Sequence, residues 1–257
     1  MTDDTFYIAA GDHRLEARWW AGPADTALVF LHEGLGCVDL WRDVPEALGR
    51  STGLAAFAYS RPGYGRSSGI TLPRPSDYHV VEADDILPAV LDAVGIERAV
   101  LIGHSDGGTI ALMTAAKDPR IKGAVTMAAH VFNEEITLAG IREARQAWET
   151  TNLREKLRRY HGDNVDAAFH GWNDTWQRPD FADWNVEAGL AGVGCPVLVV
   201  QGADDQYGSA EQVHAIARGV AGPAQELILP DCGHSPHLEA PEPLFAAVNQ
   251  FVADLSL

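Results

Sequence analysis

Short runs of apolar residues recur along the chain and predict eight β-strands. The runs lie at residues 6–10, 15–20, 27–32, 54–59, 99–103, 123–128, 197–201 and 226–229. Gly11-Asp12 separates the first two runs, which predicts an antiparallel hairpin. From residue 27 onward the runs are continuously apolar and alternate with helical segments at 77–94, 105–116, 210–219 and 243–255. The pattern predicts an α/β fold: an eight-stranded, mostly parallel sheet with helices on both faces.

The strand pattern stops between residues 133 and 190. Amphipathic helical segments rich in Arg and Glu take its place at 139–145 and 153–160. Four of the seven tryptophans lie in this stretch, Trp148, Trp172, Trp176 and Trp184. Their rings either pack the insertion onto the core or wall a binding pocket. We therefore predict a core made of residues 1–132 and 191–257, interrupted by a helical cap at 133–190.

Composition and charge narrow the choice of partners. The 257 residues are 46% hydrophobic and 21% charged, as in folded proteins, and the net charge of −17 repels phosphate backbones and anionic lipid. We expect a small-molecule substrate, no nucleic acid and no membrane, and leave open a homodimer. The polar, acidic start and the lack of a long apolar run predict a cytoplasmic protein. Cys37, Cys195 and Cys232 lack metal-type spacing and are expected to be reduced thiols.

A Gly-x-Ser-x-Gly motif follows the fifth predicted strand directly. Gly103-His104-Ser105-Asp106-Gly107 stands between the apolar run 99–102 and a helical segment, the strand-turn-helix context that the motif requires. Such a turn exposes the serine hydroxyl and aims the start of the next helix at it. We expect the His104 side chain to face away from Ser105 and pack, although its position beside the serine also makes it a candidate substrate contact.

A serine nucleophile needs an imidazole base, and the base needs a carboxylate to orient it. Acidic residues follow the apolar run 196–200, at Asp204 and Asp205. Histidines follow the last predicted strand, at His234 and His237. Loops after parallel strands meet at one edge of the sheet, so these groups are expected to lie near Ser105.

The chain resembles the α/β-hydrolase superfamily, in a serine-nucleophile, esterase-like form with a helical cap, over nearly its whole length. The matching segments are HEGLG at 32–36, YSRPGYGRS at 59–67, the serine motif, GADD at 202–205 and GH at 233–234. The resemblance implies a triad of Ser105, Asp205 and His234. Asp205 is preferred because the acid of similar proteins stands three residues beyond the glycine, which leaves Asp204 as a turn residue. His234 directly follows a glycine, as in the family, and His237 is assigned to hydrogen bonding with nearby backbone.

An oxyanion site needs two fixed N–H donors. One is expected from the backbone of Asp106, and the other from the loop after the third strand, at Gly34 or, if the loop is shifted, at Leu35. Glu33 stands where similar hydrolases carry glycine, and a carboxylate facing this site would oppose an anion. We expect Glu33 either to pair with Arg61 or His32 or to be solvated.

The predicted reaction is acyl transfer to water without a cofactor or metal, on a small carboxylic ester or lactone. Trp148, Trp172 and Trp176, with His104, are the predicted substrate contacts. Alternatives are carbon–carbon bond hydrolysis of vinylogous diketones, acyl-thioester hydrolysis, and a ligand receptor without turnover. The basic residues Arg154, Lys156, Arg158 and Arg159 either meet a phosphate or form a solvated helix face.

Overall fold

The structure, a computed structural model, describes residues 5–257 and is built around one eight-stranded β-sheet. The strands are β1 Phe6–Ala10, β2 His13–Trp20, β3 Thr26–Leu31, β4 Ala55–Tyr59, β5 Arg98–His104, β6 Ile121–Met127, β7 Val197–Gly202 and β8 Ala224–Leu229. Their order across the sheet is β1-β2-β4-β3-β5-β6-β7-β8. The eight predicted strands are therefore confirmed, with small shifts at their ends.

Strand directions set where the loops meet. Strand β2 is antiparallel to both of its neighbours, β1 and β4, and the other adjacent pairs are parallel. The predicted hairpin is confirmed, and Gly11 in its turn has φ of +56°, which glycine adopts at little steric cost. The loops that follow β3, β5, β7 and β8 all leave the same edge of the sheet, where ligands of such folds bind.

Ten α-helices are distributed along the described residues. They are α1 Val44–Thr52, α2 Tyr78–Val81, α3 Leu87–Val94, α4 Asp106–Ala115, α5 Glu135–Thr150, α6 Leu153–His161, α7 Val165–Trp176, α8 Ala210–Gly219, α9 Pro236–Glu239 and α10 Pro241–Ala253. A π-helical turn, Glu82–Ile86, joins α2 to α3. Helix α1 is an addition to the predicted elements, although Pro45 near its start and Gly53 just after its end are typical helix boundaries.

The core consists of two apolar layers, one on each face of the sheet. Along β3, Ala27, Val29 and Leu31 belong to one layer, while Leu28 and Phe30 belong to the other. Helices α3, α4 and α8 cover the first face, and α1 and α10 cover the second. Successive side chains of a strand point to opposite faces, so the continuously apolar runs reflect a sheet buried on both sides.

The chain between β6 and β7 carries helices α5, α6 and α7 with short 3-10 turns, and we refer to residues 133–190 as the helical insertion. Its aromatic residues form a third apolar cluster together with Tyr78 of the core; the buried members are Tyr78, Ile141, Phe169, Trp172, Trp176 and Phe181. Within residues 5–257, the helices lack the length and apolar character needed to cross a bilayer.

Candidate active site

Ser105 lies on a strained turn between β5 and α4. Its φ of +51° and ψ of −119° fall where residues with a side chain are rarely found. Gly103 and Gly107 permit this turn, because a Cβ on Gly103 would overlap the Gly107 carbonyl and one on Gly107 would overlap the Leu31 carbonyl. The predicted turn is confirmed, and its serine is only 7% exposed.

Asp205 and His234 form a hydrogen-bonded pair in the loops after β7 and β8. His234 Nδ1 lies 2.9 Å from Asp205 Oδ1 and 3.0 Å from Oδ2. Burial alone would raise the pKa of Asp205, but the hydrogen bond to His234 lowers it. An ionised carboxylate only accepts hydrogen bonds, so Nδ1 carries the proton and the lone pair is on Nε2.

The structure distinguishes between Asp204 and Asp205, the two candidate acids in the sequence. Asp205 also accepts hydrogen bonds from the Tyr207 backbone at 2.8 Å and from Gln201 Nε2 at 2.6 Å, so its carboxylate is held from three sides. Asp204 is exposed, and its backbone N–H bonds to the Cys232 carbonyl at 2.9 Å. The structure brings Asp205, and not Asp204, to the imidazole.

A cavity of about 170 Å³ brings Ser105 and His234 together. Its wall combines loop residues at the sheet edge with side chains from the helical insertion: Glu33, Gly34, Leu35, His104, Ser105, His130, Thr137, Ile141, Trp172, Trp176, Tyr207, His234 and Ser235. Trp148, predicted as a substrate contact, lies elsewhere. Its indole stacks on Phe169 with ring centroids 4.0 Å apart, so it stabilises the insertion instead of lining the cavity.

Trp172 packs directly on the loop after β3. A Cβ on Gly34 would overlap the Trp172 indole, so only glycine permits this contact. The indole N–H has no hydrogen-bond partner among the described residues, although Trp172 lines the cavity. The helical insertion therefore places a free donor beside Gly34.

Glu33 has a different partner from those predicted. Its carboxylate lies 3.5 Å from His104 Nδ1, and although burial would raise the pKa of Glu33, this contact holds it well below its usual range. Arg61 and His32 bind the Glu33 backbone instead: Arg61 Nη2 and His32 Nδ1 lie 3.0 and 2.7 Å from its carbonyl oxygen. The expected pairing with Arg61 or His32 is wrong, because both side chains bind the Glu33 backbone carbonyl and not its carboxylate.

His104 links two loops. Its Nδ1 faces the Glu33 carboxylate, and its Nε2 lies 2.7 Å from the backbone carbonyl of His234. Carbonyl and carboxylate oxygens both accept, so both ring nitrogens face acceptors. His104 thus connects the loop after β3 to the loop that carries His234, and it lines the cavity as well.

Asp106, the residue after Ser105, is buried in a polar cluster behind the cavity. Its Oδ2 accepts a hydrogen bond from the Tyr78 hydroxyl at 2.9 Å and lies 3.5 Å from Arg61 Nη2, and its Oδ1 lies 3.4 Å from His79 Nε2. Burial would raise the pKa of Asp106, but these three partners hold it well below its usual range. The side chain of Asp106 is therefore anchored in the core, while its backbone forms the start of α4.

His130, which the sequence analysis did not single out, also lines the cavity. It is 3% exposed, its ring centroid is 6.0 Å from that of His234, and its Nδ1 has no partner among the described residues. Burial lowers the pKa of His130 to about 4, so the imidazole is neutral near pH 7. A lone histidine after β6 belongs to no motif, and only the fold brings it to the site.

His237 lies behind the cavity wall. Its ring contacts His104 and Trp41 at centroid distances of 4.8 and 5.2 Å. The expected hydrogen bond to nearby backbone is not made by its Nδ1, which has no partner within the described residues. Burial lowers the pKa of His237 to about 3, so its role here is neutral packing.

The basic run of α6 lies outside the cavity. Arg154 is paired with Asp166 through two contacts of 2.8 and 2.6 Å, and Lys156, Arg158 and Arg159 are exposed. The arrangement fits the solvated helix face. Within residues 5–257, no group of three or more His, Cys, Asp or Glu side chains is arranged to hold a metal ion.

The fold and this edge of the sheet define the class of protein. A sequence model of the alpha/beta hydrolase fold matches residues 26–189, more than half of the 257 residues. The chain belongs to the α/β-hydrolase fold family. The predicted membership of the α/β-hydrolase superfamily and the predicted fold class, an eight-stranded, mostly parallel sheet with helices, are thereby confirmed.

Individual relatives are distant and chemically varied. The chain is 25% identical over 217 residues to the bifunctional esterase/perhydrolase DCH of Acinetobacter calcoaceticus, covering 72% of this chain and 76% of the relative. It is 24% identical over 237 residues to the 2-hydroxy-6-oxo-6-phenylhexa-2,4-dienoate hydrolase of Comamonas testosteroni, covering 81% of each. An esterase of Rhodococcus sp. ECU1013 has the same fold, with a TM-score of 0.74 at 22% identity over 98% of this chain and all of the other. The family is one of hydrolases.

Proposed function

We propose that the protein is a serine hydrolase that cleaves a small, uncharged carboxylic ester or lactone through an acyl-enzyme intermediate. The observation that carries this proposal is the Asp205–His234 pair, whose imidazole lines the same cavity as a serine on a strained strand-to-helix turn. A nucleophile, a base and an orienting acid in this arrangement are the requirements of acyl transfer.

In the acylation step, the Ser105 hydroxyl oxygen attacks the substrate carbonyl carbon while His234 Nε2 takes the hydroxyl proton. The π-electron pair of the carbonyl moves to its oxygen, and the backbone N–H groups of Gly34 and Asp106 bind the resulting anion. Asp106 opens helix α4, so its N–H has no partner within the helix. The anion then collapses, the carbon–oxygen bond to the alcohol breaks, and His234 protonates the departing oxygen.

Deacylation repeats the sequence with water as the nucleophile. His234 removes one proton from water, the hydroxyl oxygen attacks the acyl-enzyme carbonyl, and the same two N–H groups bind the second anion. Collapse releases the acid and returns the proton to Ser105. Asp205 keeps the imidazole in the tautomer whose Nε2 accepts protons.

The size and charge of the cavity support a small neutral substrate. A volume of about 170 Å³ corresponds to roughly six water molecules at the ~30 Å³ that each occupies in the liquid. Glu33 contributes a carboxylate to the wall, and none of the described lining residues is Lys or Arg. A substrate carboxylate or a phosphate would find no countercharge there, which weighs against dienoate and coenzyme-linked substrates.

Two polar groups that have no hydrogen-bond partner among the described residues are suited to orient the substrate. The Trp172 indole N–H donates, and neutral His130 has one donor and one acceptor nitrogen. Both residues line the cavity, on sides formed by the helical insertion and by the loop after β6. We assign Trp172, Trp176 and His130 to substrate contact, with residues 133–190 acting as a cap over the site.

A substrate panel tests the proposal. Wild type and Ser105→Ala are assayed against short-chain aryl esters, lactones, acyl thioesters and a dienoate diketone, with protein labelling by a fluorophosphonate. We expect wild type to be labelled at Ser105 and to hydrolyse neutral esters or lactones fastest, and Ser105→Ala to do neither.

Other outcomes identify the alternatives. Faster turnover of the dienoate diketone than of any ester would assign the protein to carbon–carbon bond hydrolysis, the activity named for the Comamonas relative. Tight binding of a panel compound, with no label and no turnover, would make the protein a receptor on a hydrolase fold.

A further inference from the structure

We propose that Arg61 is a positioning residue for the oxyanion site: its buried guanidinium holds the Glu33–Gly34 peptide and the Asp106 carboxylate at the same time. The inference rests on the proposed function, because an oxyanion forms only if Ser105 attacks a carbonyl. Arg61 itself touches no reacting atom, and it acts through the two residues whose N–H groups bind the anion.

The first contact is with the loop after β3. The Glu33 carbonyl oxygen accepts from three donors: Arg61 Nη2 at 3.0 Å, His32 Nδ1 at 2.7 Å and the Gly36 backbone N–H at 3.1 Å. His32 Nε2 in turn accepts the Arg61 backbone N–H at 3.0 Å, which fixes the His32 tautomer with its proton on Nδ1. The direction of this carbonyl is therefore set by several bonds at once.

The direction of the carbonyl sets the direction of the Gly34 N–H. A peptide group is planar, and in its trans form the C=O and N–H point opposite ways. With the Glu33 oxygen held in the core, the Gly34 N–H is aimed outward at the cavity that Gly34 lines. Donors on the oxygen also polarise the peptide and strengthen the opposite N–H as a donor.

The second contact is with the residue after the nucleophile. Arg61 Nη2 lies 3.5 Å from Asp106 Oδ2, which also accepts from the Tyr78 hydroxyl. Asp106 supplies the other expected anion donor, its backbone N–H at the start of α4. The Arg61 guanidinium thus contacts both residues that set the oxyanion donors: the Glu33 carbonyl, whose peptide carries the Gly34 N–H, and the side chain of Asp106.

Burial makes this connection strong and specific. Both side chains of the Arg61–Asp106 pair are at most 1% exposed, so solvent screens their attraction little. The guanidinium is also stacked on Tyr64, 4.8 Å from the ring centroid. One guanidinium nitrogen, Nη2, makes all of these contacts: it lies 3.2 and 3.0 Å from the His32 and Glu33 carbonyl oxygens and 3.5 Å from Asp106 Oδ2. The ammonium of lysine ends one bond nearer to the backbone, so it falls short of these acceptors.

The test compares Arg61→Lys with Arg74→Lys in the intact protein. Arg74 is the matched control, because it is also buried and lies over the same Tyr64 ring at 4.9 Å. Its own bonds go to the Pro62 carbonyl at 2.9 Å and the Tyr64 hydroxyl at 3.3 Å, away from the loop after β3. The two variants keep the charge and should lose similar thermal stability.

We expect Arg61→Lys to lower kcat by about 10- to 100-fold on the best neutral ester, less than the loss of a whole oxyanion donor, with KM within about 3-fold of wild type. Its affinity for an aryl boronic acid, which forms a tetrahedral anion on serine, should weaken by a similar factor. Arg74→Lys should leave kcat and boronate affinity within about 2-fold.

Equal losses of kcat in the two variants, with an active wild type, overturn the role of Arg61 and leave the proposed function standing. A wild-type protein that takes no fluorophosphonate at Ser105 overturns both. If Arg61→Lys does not fold, His32→Asn replaces it, since it removes a second donor from the same carbonyl. Unchanged kcat and boronate affinity in His32→Asn then count against the inference.

Discussion

The loops at the sheet edge and the helical insertion face the same cavity, but they are held by different forces. Ser105, Asp205 and His234 are fixed by a strained turn and by short hydrogen bonds from several sides. The insertion meets the cavity mainly with rings and aliphatic groups, such as Trp172, Trp176 and Ile141, which pack in the third apolar cluster, shared with Tyr78 of the core. Directional bonds define positions closely, whereas apolar packing tolerates exchange of similar shapes.

This difference separates two tasks. Groups that must meet a reacting atom at a set distance belong on the rigid loops, and surfaces that select a substrate by shape belong on the packed insertion. Substitutions in the loops should therefore change kcat, and substitutions in the insertion should change KM.

Ser105→Ala should have the largest effect. Removal of the nucleophile is expected to lower kcat by about 10³-fold or more. The free energy of unfolding should change little, because alanine and serine both carry a Cβ and are equally strained at a φ of +51°. Steady-state hydrolysis of the best ester and urea unfolding measure the two quantities. Retention of more than a tenth of wild-type kcat would remove Ser105 from the mechanism.

Asp205→Asn should have the second-largest effect on kcat. An amide cannot hold His234 in the Nδ1–H tautomer, so kcat should fall about 10²- to 10⁴-fold with KM little changed. Asp204→Asn is the matched control, one residue away and exposed, and should keep kcat within about 2-fold. If Asp204→Asn is the damaging change, the acid has been assigned to the wrong residue.

Trp172→Phe tests the insertion side. The phenyl ring keeps most of the apolar surface but lacks the indole N–H, so one hydrogen bond to substrate is lost. We expect KM to rise about 3- to 10-fold and kcat to stay within about 3-fold, consistent with roughly 1 kcal/mol for such a bond. A fall in kcat with constant KM would instead show that Trp172 acts in the chemical step, as the loop residues are expected to do.

The last prediction concerns the stability of the fold against acid and not the activity. Burial lowers the pKa values of His130 and His237 from 6.5 to about 4 and about 3, so between pH 6.5 and 4 the unfolded chain binds protons that the folded chain does not. The free energy of unfolding should be flat above pH 6.5 and should decline as the pH falls toward 4. Urea unfolding at pH 7, 6 and 5 measures the slope, and His130→Gln should make it shallower. A flat result from pH 6.5 to 5 would contradict neutral burial of these imidazoles.

The sequence alone predicted those features that depend on residues adjacent in the chain. Glycines around Ser105 and continuous apolar runs predicted the turn and the strands, because local sterics and two-sided burial leave few other structures. The partner of Glu33 could not be found in this way, since His104 reaches it only through the packing of β5 beside β3. His130 and the stacking of Trp148 on Phe169 likewise depend on tertiary contacts that no spacing encodes.

The imidazole of His104 joins two stretches of chain that lie some two hundred positions apart, around Glu33 and His234. Because that ring stands on β5 next to Ser105, the loops that carry Glu33, Ser105 and His234 form a single stiff frame. A movement of the loop around Glu33 would therefore displace the loop around His234, and the reverse. An opening that admits a substrate would have to move the helical insertion, and it would break hydrogen bonds to the core such as those from Trp176 Nε1 to the Tyr78 hydroxyl and from His161 Nε2 to the Leu35 carbonyl, both 2.9 Å long.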